Sequence, residues 1–265
     1  MLKRATVFLY GIACYAVFFA TFLYAIGFVC NLYVPRSMDG PPSAALATSL
    51  AIDLGLLLAF AAQHSVMARS GFKRVLTRFI PEPAERSTYV LASSVALIVL
   101  FAFWQPLGGV VWSVHQPVAV IVLHSLCACG WLLVLVATFL INHFDLFGLR
   151  QVWLYARSRP YTPLKFATPG LYRLVRHPLY VGWLFAFWAT PTMTLTHLVF
   201  ALATSGYILL AIQLEERDLV TQLGAQYSDY RKQVPMLVPG FNAGARLRLR
   251  GSRSGRAPTA TRATR

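Results

Sequence analysis

Apolar residues in this chain fall in long unbroken runs, without the alternation of a half-buried strand or the one-sided stripe of a surface helix. The runs extend roughly over Val7 to Tyr33, Ala44 to Met67, Thr88 to Trp104, Val118 to Ile141 and Leu179 to Leu214. A helix rises about 1.5 Å per residue and a bilayer core is roughly 30 Å thick, so each of the first four comes close to or exceeds one crossing. The fifth would reach about 54 Å as a straight helix, too long for a single crossing even when tilted. Pro191 lies inside it; proline removes a backbone donor and clashes with the preceding turn, and Thr190, Thr192 and Thr194 can satisfy the freed backbone groups. The pattern predicts an all-α integral membrane protein of about five transmembrane elements, the last a Pro-broken helical hairpin whose two ends face the same side.

The first run follows Lys3 and Arg4. It outruns the roughly 7 to 15 apolar residues of a secretory signal and offers no clear cleavage site, so it is expected to stay as a span. Loop charges then set the orientation. Arg69, Lys73, Arg74, Arg78 and Arg86 stand between the second and third runs, and Arg150, Arg157, Arg159, Lys165, Arg173 and Arg176 follow the fourth. Among Lys and Arg, the other two connections hold only Arg36. Basic loops favour the cytoplasm, which puts both termini on that side of a bacterial-type inner membrane, and the hairpin is what makes the C-terminus agree.

Of the 265 residues, 57% are hydrophobic and 12% charged, with a mean hydropathy of +0.57; a soluble domain carries about 25% charged residues. That excludes a disordered chain and argues against a soluble enzyme. The net charge of +15 would suit nucleic acid only if the cations were gathered on a folded face. Instead Arg246, Arg248, Arg250, Arg253, Arg256, Arg262 and Arg265 are strung through Gly, Ser, Thr and Pro with no acid among them. Residues 1–240 are expected to form a single multi-span domain and residues 241–265 a disordered Arg-rich tail drawn to anionic lipid headgroups, so the expected partner is the bilayer and not nucleic acid. Cys14, Cys30, Cys127 and Cys129 all lie inside apolar runs, where a thiol packs as a small hydrophobe, and neither a disulfide framework nor a metal site is expected.

Polar residues held beside lipid usually serve a purpose, and three groups of them fall on the expected cytoplasmic side. The first is Gly170-Leu-Tyr172-Arg173-Leu-Val-Arg176-His177-Pro178-Leu-Tyr180-Val-Gly182. A residue before proline is pushed out of the helical region and proline favours the first helical position, so His177 is placed at the mouth of the hairpin helix, where first-turn N–H groups point at any anion held there. Arg176 and His177 as plain interfacial anchors is the competing reading. The second group is Glu215-Glu216-Arg217-Asp218 at the far end of the hairpin, followed by Leu219, Leu223, Tyr227, Tyr230 and Val234 at helical spacing, which predicts an amphipathic helix over the mouth. These carboxylates could accept hydrogen bonds from ribose hydroxyls or an ammonium group; equally, they could cap the interface and pair with Arg176 or Arg217. The third is Asn142-His143-Phe144-Asp145 through Arg150, together with Gln63-His64 through Arg69. Asp53, deeper in the second run, is read as a helix-packing hydrogen bond in preference to a catalytic acid. A haem carrier would need paired axial imidazoles, and nothing in the spacing of His64, His124 and His197 pairs them. No GxGxxG after a strand and no Walker-type loop occurs, so any nucleotide-like ligand must be held by another device.

The stretches "YRLVRHPLYVG" from Tyr172 and "EERDLVTQLGAQYSDYRKQVP" from Glu215 resemble the C-terminal half of the isoprenylcysteine carboxyl methyltransferase superfamily. "HSVMARSGFKR", "ERSTYVL", "TFLINHFDLFGLRQV" and "WATPTMT" resemble its narrower nurim-like branch of bacterial methanethiol S-methyltransferases. The resemblance implies an S-adenosyl-L-methionine-dependent enzyme methylating a small thiol, methanethiol, to dimethyl sulfide at the cytosolic membrane face. By the same resemblance Tyr172, Arg176, His177, Pro178, Leu179, Tyr180 and Glu215 line the cofactor site beneath a cytosolic C-terminal cap. Leu164, Lys165 and Phe166 stand where the prenylcysteine enzymes tend to carry a histidine-containing stretch. The alternatives are an isoprenylcysteine-type or other S- or O-methyltransferase and a non-catalytic nurim-like membrane protein. An alkyl thiol is mostly protonated near neutral pH, so the site must lower its pKa or supply a base; His64, Arg69, His143 and Glu216 are the catalytic candidates.

Overall fold

A computed structural model describes residues 1–42 and 44–240. The expected tail, residues 241–265, lies outside the described residues. Among the described residues, five helices are long and apolar enough to cross a membrane. They are α1 (Leu2–Cys30), α2 (Leu46–Ala68), α4 (Glu85–Phe103, entered through a short 3-10 turn at Glu82–Ala84), α5 (Pro117–Ile141) and α9 (Leu195–Leu223). Shorter helices join them: α3 (Ser70–Leu76), α6 (His143–Leu146), α7 (Leu149–Ala156), α8 (Pro178–Trp188) and α10 (Ala225–Gln233). The bundle is that of an all-α integral membrane protein.

The last apolar stretch is broken around Pro191, between Trp188 and Leu195. Its first arm, α8, has 11 residues, fewer than a crossing needs. The threonines act as backbone partners: Thr190 Oγ1 donates to Thr192 O at 2.8 Å, and Thr194 Oγ1 accepts from His197 N at 3.0 Å to cap α9. The break also forms a strand that the apolar pattern does not predict: Thr192–Thr194 (β2) pairs antiparallel with Val110–Ser113 (β1), Val110 opposite Thr194 and Ser113 opposite Thr192. Two β-branched residues and a tryptophan at 110–112 were the local signal for it.

The short arm is held chiefly by α5. A Cβ added to Gly130 would meet Ala186 N at 2.6 Å and Gly182 O at 2.7 Å, and one added to Gly182 would meet Gly130 O and Val134 N at 2.8 Å. Only glycine permits this backbone approach, which seats α8 directly on α5. Next to it a core of Phe28, Leu100, Phe101, Trp104, Trp131, Phe187 and Phe200 joins α1, α4, α5, α8 and α9. Asp53 Oδ1 accepts the Gln105 backbone N–H at 2.9 Å, a packing role that ties α2 to the chain leaving α4.

The helix expected over the mouth is two pieces. Gly224, at φ 58, ends α9 and starts α10, so Leu219 and Leu223 extend the long helix while Tyr227 and Val234 turn inward on the next segment. A single positive-φ residue, costly for any side chain but glycine, overrides the continuous spacing.

Candidate active site

Both ends of the hairpin come together at the head of α8. His177 precedes Pro178, the first residue of α8, and is buried. Its Nε2 lies 3.0 Å from Glu216 Oε1 and its Nδ1 3.9 Å from Glu215 Oε2, so one imidazole spans the two adjacent carboxylates of α9. Arg176 Nε donates to Glu216 Oε1 at 2.6 Å, and Arg231 Nε of α10 lies 3.2 Å from Glu216 Oε2. Glu216 is only 4% exposed, so its charge persists there because three cationic or donor groups surround it. Glu215 points outward, 47% exposed at its side chain, and accepts from Tyr180 Oη at 3.1 Å.

The chain after α10 closes this junction with backbone. The N–H of Arg176 donates to Pro235 O at 2.8 Å and that of His177 to Met236 O at 3.2 Å. The Arg176 guanidinium also donates to Arg231 O at 3.1 Å and Val234 O at 2.7 Å. Tyr230 Oη donates to Tyr172 O at 2.6 Å; burial pushes its hydroxyl up to about 12, which keeps it a protonated donor. Burial likewise raises Tyr172 and Tyr227 above the ordinary tyrosine value. Beside Glu216 a cavity of about 270 Å³ opens among Gln213, Arg217, Val220, Thr221 and Arg231.

A second cluster lies between α2 and α4. Tyr89 Oη is 2.9 Å from His64 Nε2 and 3.0 Å from its Nδ1, and Ser93 Oγ is 3.1 Å from Nδ1. Ser65 Oγ and Tyr207 Oη, 3.0 Å apart, tie α2 to α9. Tyr207, Glu215 and Asp218 share one face of α9, so the contacts of α2 with that face set the His64 cluster beside the Tyr180–Glu215 pair. Arg69, at the end of α2, meets Asp218 Oδ2 at 2.8 Å, one helical turn beyond Glu215 on the same face of α9.

Of the residues singled out in the sequence, Tyr172, Arg176, His177, Pro178, Tyr180, Glu215 and Glu216 share one junction, with His64 and Arg69 alongside; Leu179 is the next, half-buried residue of α8. His143 stands apart. It is buried with Nε2 2.8 Å from Tyr15 Oη and Nδ1 2.8 Å from Thr138 Oγ1, stacked on Phe139, and shares no partner with His64 or His177 among the described residues. Burial lowers its pKa. The three histidines of the haem reading do not meet either: His197 Nε2 is 2.8 Å from Phe187 O, His64 is held by Tyr89 and Ser93, and His124 is exposed on α5. Tyr89, Ser93, Tyr207 and Arg231 are the groups that sequence reasoning missed. Tyr89 and Ser93 sit four residues apart on one face of α4, a polar pair in an apolar run that could have drawn attention.

The family described as a protein of unknown function, DUF1295, matches residues 84–234. The chain is 58% identical over 238 residues to a methanethiol S-methyltransferase of Crocosphaera subtropica, covering 90% of this chain and 93% of that protein. It is 52% identical over 238 residues to a methanethiol S-methyltransferase of Mycobacterium tuberculosis, covering 90% and 98%. Nurim of Sus scrofa is 34% identical over 182 residues, 64% of this chain and 68% of that protein. No solved structure matches.

Proposed function

The chain belongs to the family of the methanethiol S-methyltransferases, and we propose accordingly that it methylates methanethiol to dimethyl sulfide with S-adenosylmethionine as methyl donor. The observation that carries the site assignment is the meeting of Tyr180, His177, Glu215 and Glu216 at the head of α8. The donor set suits the methyl donor. Glu215 is an outward carboxylate able to accept from ribose hydroxyls or an ammonium group, Tyr180 adds a hydroxyl, and a polar cavity opens beside the neighbouring Glu216. When bound, S-adenosylmethionine supplies an electrophilic sulfonium methyl group.

The protein's own residues divide the remaining work. Arg176, Arg231 and His177 hold Glu216 in place, and the backbone bonds to Pro235 and Met236 keep the segment after α10 over the mouth as a cap on the cytosolic side. His64, oriented by Tyr89 and Ser93, accepts the thiol proton, because the thiolate is the competent nucleophile. Arg69 at the rim favours the developing anion, and Glu216 acts through His177. His143 contributes from outside this cluster by fixing α6 against α1. Lipid-facing helices give a small apolar thiol a route through the bilayer. The bacterial origin of the similar methyltransferases and the basic loops together support a cytoplasmic-membrane protein with both termini inside.

Isothermal titration of purified protein with S-adenosylmethionine tests the assignment. Binding by the native chain and its loss in Glu215→Gln and His177→Ala are expected. Unchanged affinity in both folded variants would remove the site, and no binding by the folded native chain would favour a non-catalytic role like that suggested by the nurim similarity.

A further inference from the structure

At the end of α1 remote from Arg4, the chain brings two cysteines together. Cys30, the last residue of α1, and Cys127 of α5 have their Sγ atoms 3.6 Å apart. They are separated by 97 positions in sequence, so the contact is made by the fold. Cys127 also donates to Ala186 O of α8 at 3.5 Å. Trp131, one helical turn along α5 from Cys127, is buried and leaves its indole Nε1 without a hydrogen-bond partner among the described residues. The other two cysteines have no such arrangement: Cys14 is buried elsewhere on α1, and Cys129 faces outward.

We propose that Cys30 and Cys127 form a redox-active dithiol that small, lipid-soluble dialkyl disulfides convert to an intramolecular disulfide bracing α1 against α5. The sulfurs need only close from contact to the roughly 2 Å of an S–S bond. Cys30, the less buried of the two, attacks one sulfur of the dialkyl disulfide; its proton leaves with the departing alkanethiol, and a mixed disulfide forms. Cys127 then attacks Cys30 Sγ, an S–S bond joins the two cysteines, and the second alkyl group leaves as another thiol. Two cysteine thiols are oxidised and one disulfide is reduced to two thiols. Because α5 is also the seat of α8, the brace ties α1 to the element that begins at Pro178, directly after His177. The exchange requires no methyl transfer.

The test uses the full chain, reduced with a phosphine and then exposed to dimethyl disulfide. Intact-mass measurement is expected to show the loss of two hydrogen atoms, and proteolysis without reductant to release a peptide pair joined through Cys30 and Cys127. Cys129→Ser should leave that product unchanged, and Cys127→Ser should trap Cys30 as its methylthio adduct. Recovery of Cys30 and Cys127 as separately alkylated thiols after exposure would overturn the proposal, as would a cross-link running through Cys14 or Cys129.

Discussion

Replacing Glu216 by Gln keeps its shape and removes the charge on which α8, α9 and α10 converge. Removing one partner of a buried ion pair costs about 3 to 5 kcal/mol. Two features of this site point to the lower end. Arg231 is 45% exposed, so its share is screened by solvent. Arg176, 11% exposed, keeps the carbonyls of Arg231 and Val234 as acceptors and is not orphaned. A loss of about 3 kcal/mol, at about 1.4 kcal/mol per factor of ten, is about a hundredfold increase in opening of the segment that follows α10. Amide hydrogen exchange reads that opening directly, because the Arg176 and His177 amides donate to Pro235 and Met236 across the junction. Those amides should exchange about a hundredfold faster in Glu216→Gln, while amides in the interior of α5 should not change. Native exchange rates at Arg176 and His177 in the variant would refute the idea that Glu216 holds the junction closed.

Gly182→Ala and Gly130→Ala each drive a Cβ into backbone atoms of the facing helix and should cost about 1 to 3 kcal/mol, seen as a lower thermal midpoint in detergent; native stability in either would contradict the α5–α8 packing. Burial depresses His143 below its ordinary 6.5, so the unfolded chain takes up the proton more readily and stability should fall as pH drops through about 6.5 toward 5. His143→Asn should show a flatter thermal midpoint across that range, and identical pH profiles would sink the assignment. His64→Ala and Tyr89→Phe should lower kcat, the first by about a hundredfold or more if His64 is the base, with S-adenosylmethionine affinity retained. Full turnover in the His64 variant would shift the proton-accepting role elsewhere.

The lipid-facing character of the helices was legible because about 20 apolar residues without interruption match the length of one bilayer crossing, and Pro191 with its threonines marked the break correctly. The 110–113 strand escaped because its pairing partner lies some eighty residues away, in the break itself, a long-range pairing that run length does not encode. Gly224 was visible, but its φ depends on the turn it makes. The junction was legible in its residue types: a histidine before proline and two adjacent acids at the other end of one hairpin had to meet once both ends faced the same side. What the spacing left open was which carboxylate faces inward, since Glu215 and Glu216 differ only by the rotation of about 100° between neighbouring helical positions. Packing against Arg176 and Arg231 decides it. Tyr89 was hidden among apolar residues of α4, and only the α2–α4 contact gives it a partner in His64.

Methyl transfer to a small thiol is read without intermediaries by giving the purified protein S-adenosylmethionine that carries an isotopically labelled methyl group, adding methanethiol, and analysing the headspace. Dimethyl sulfide bearing one labelled methyl group is expected, formed in proportion to the donor consumed and suppressed in His64→Ala. Folded protein that binds the donor and yields no labelled dimethyl sulfide would refute the proposed reaction.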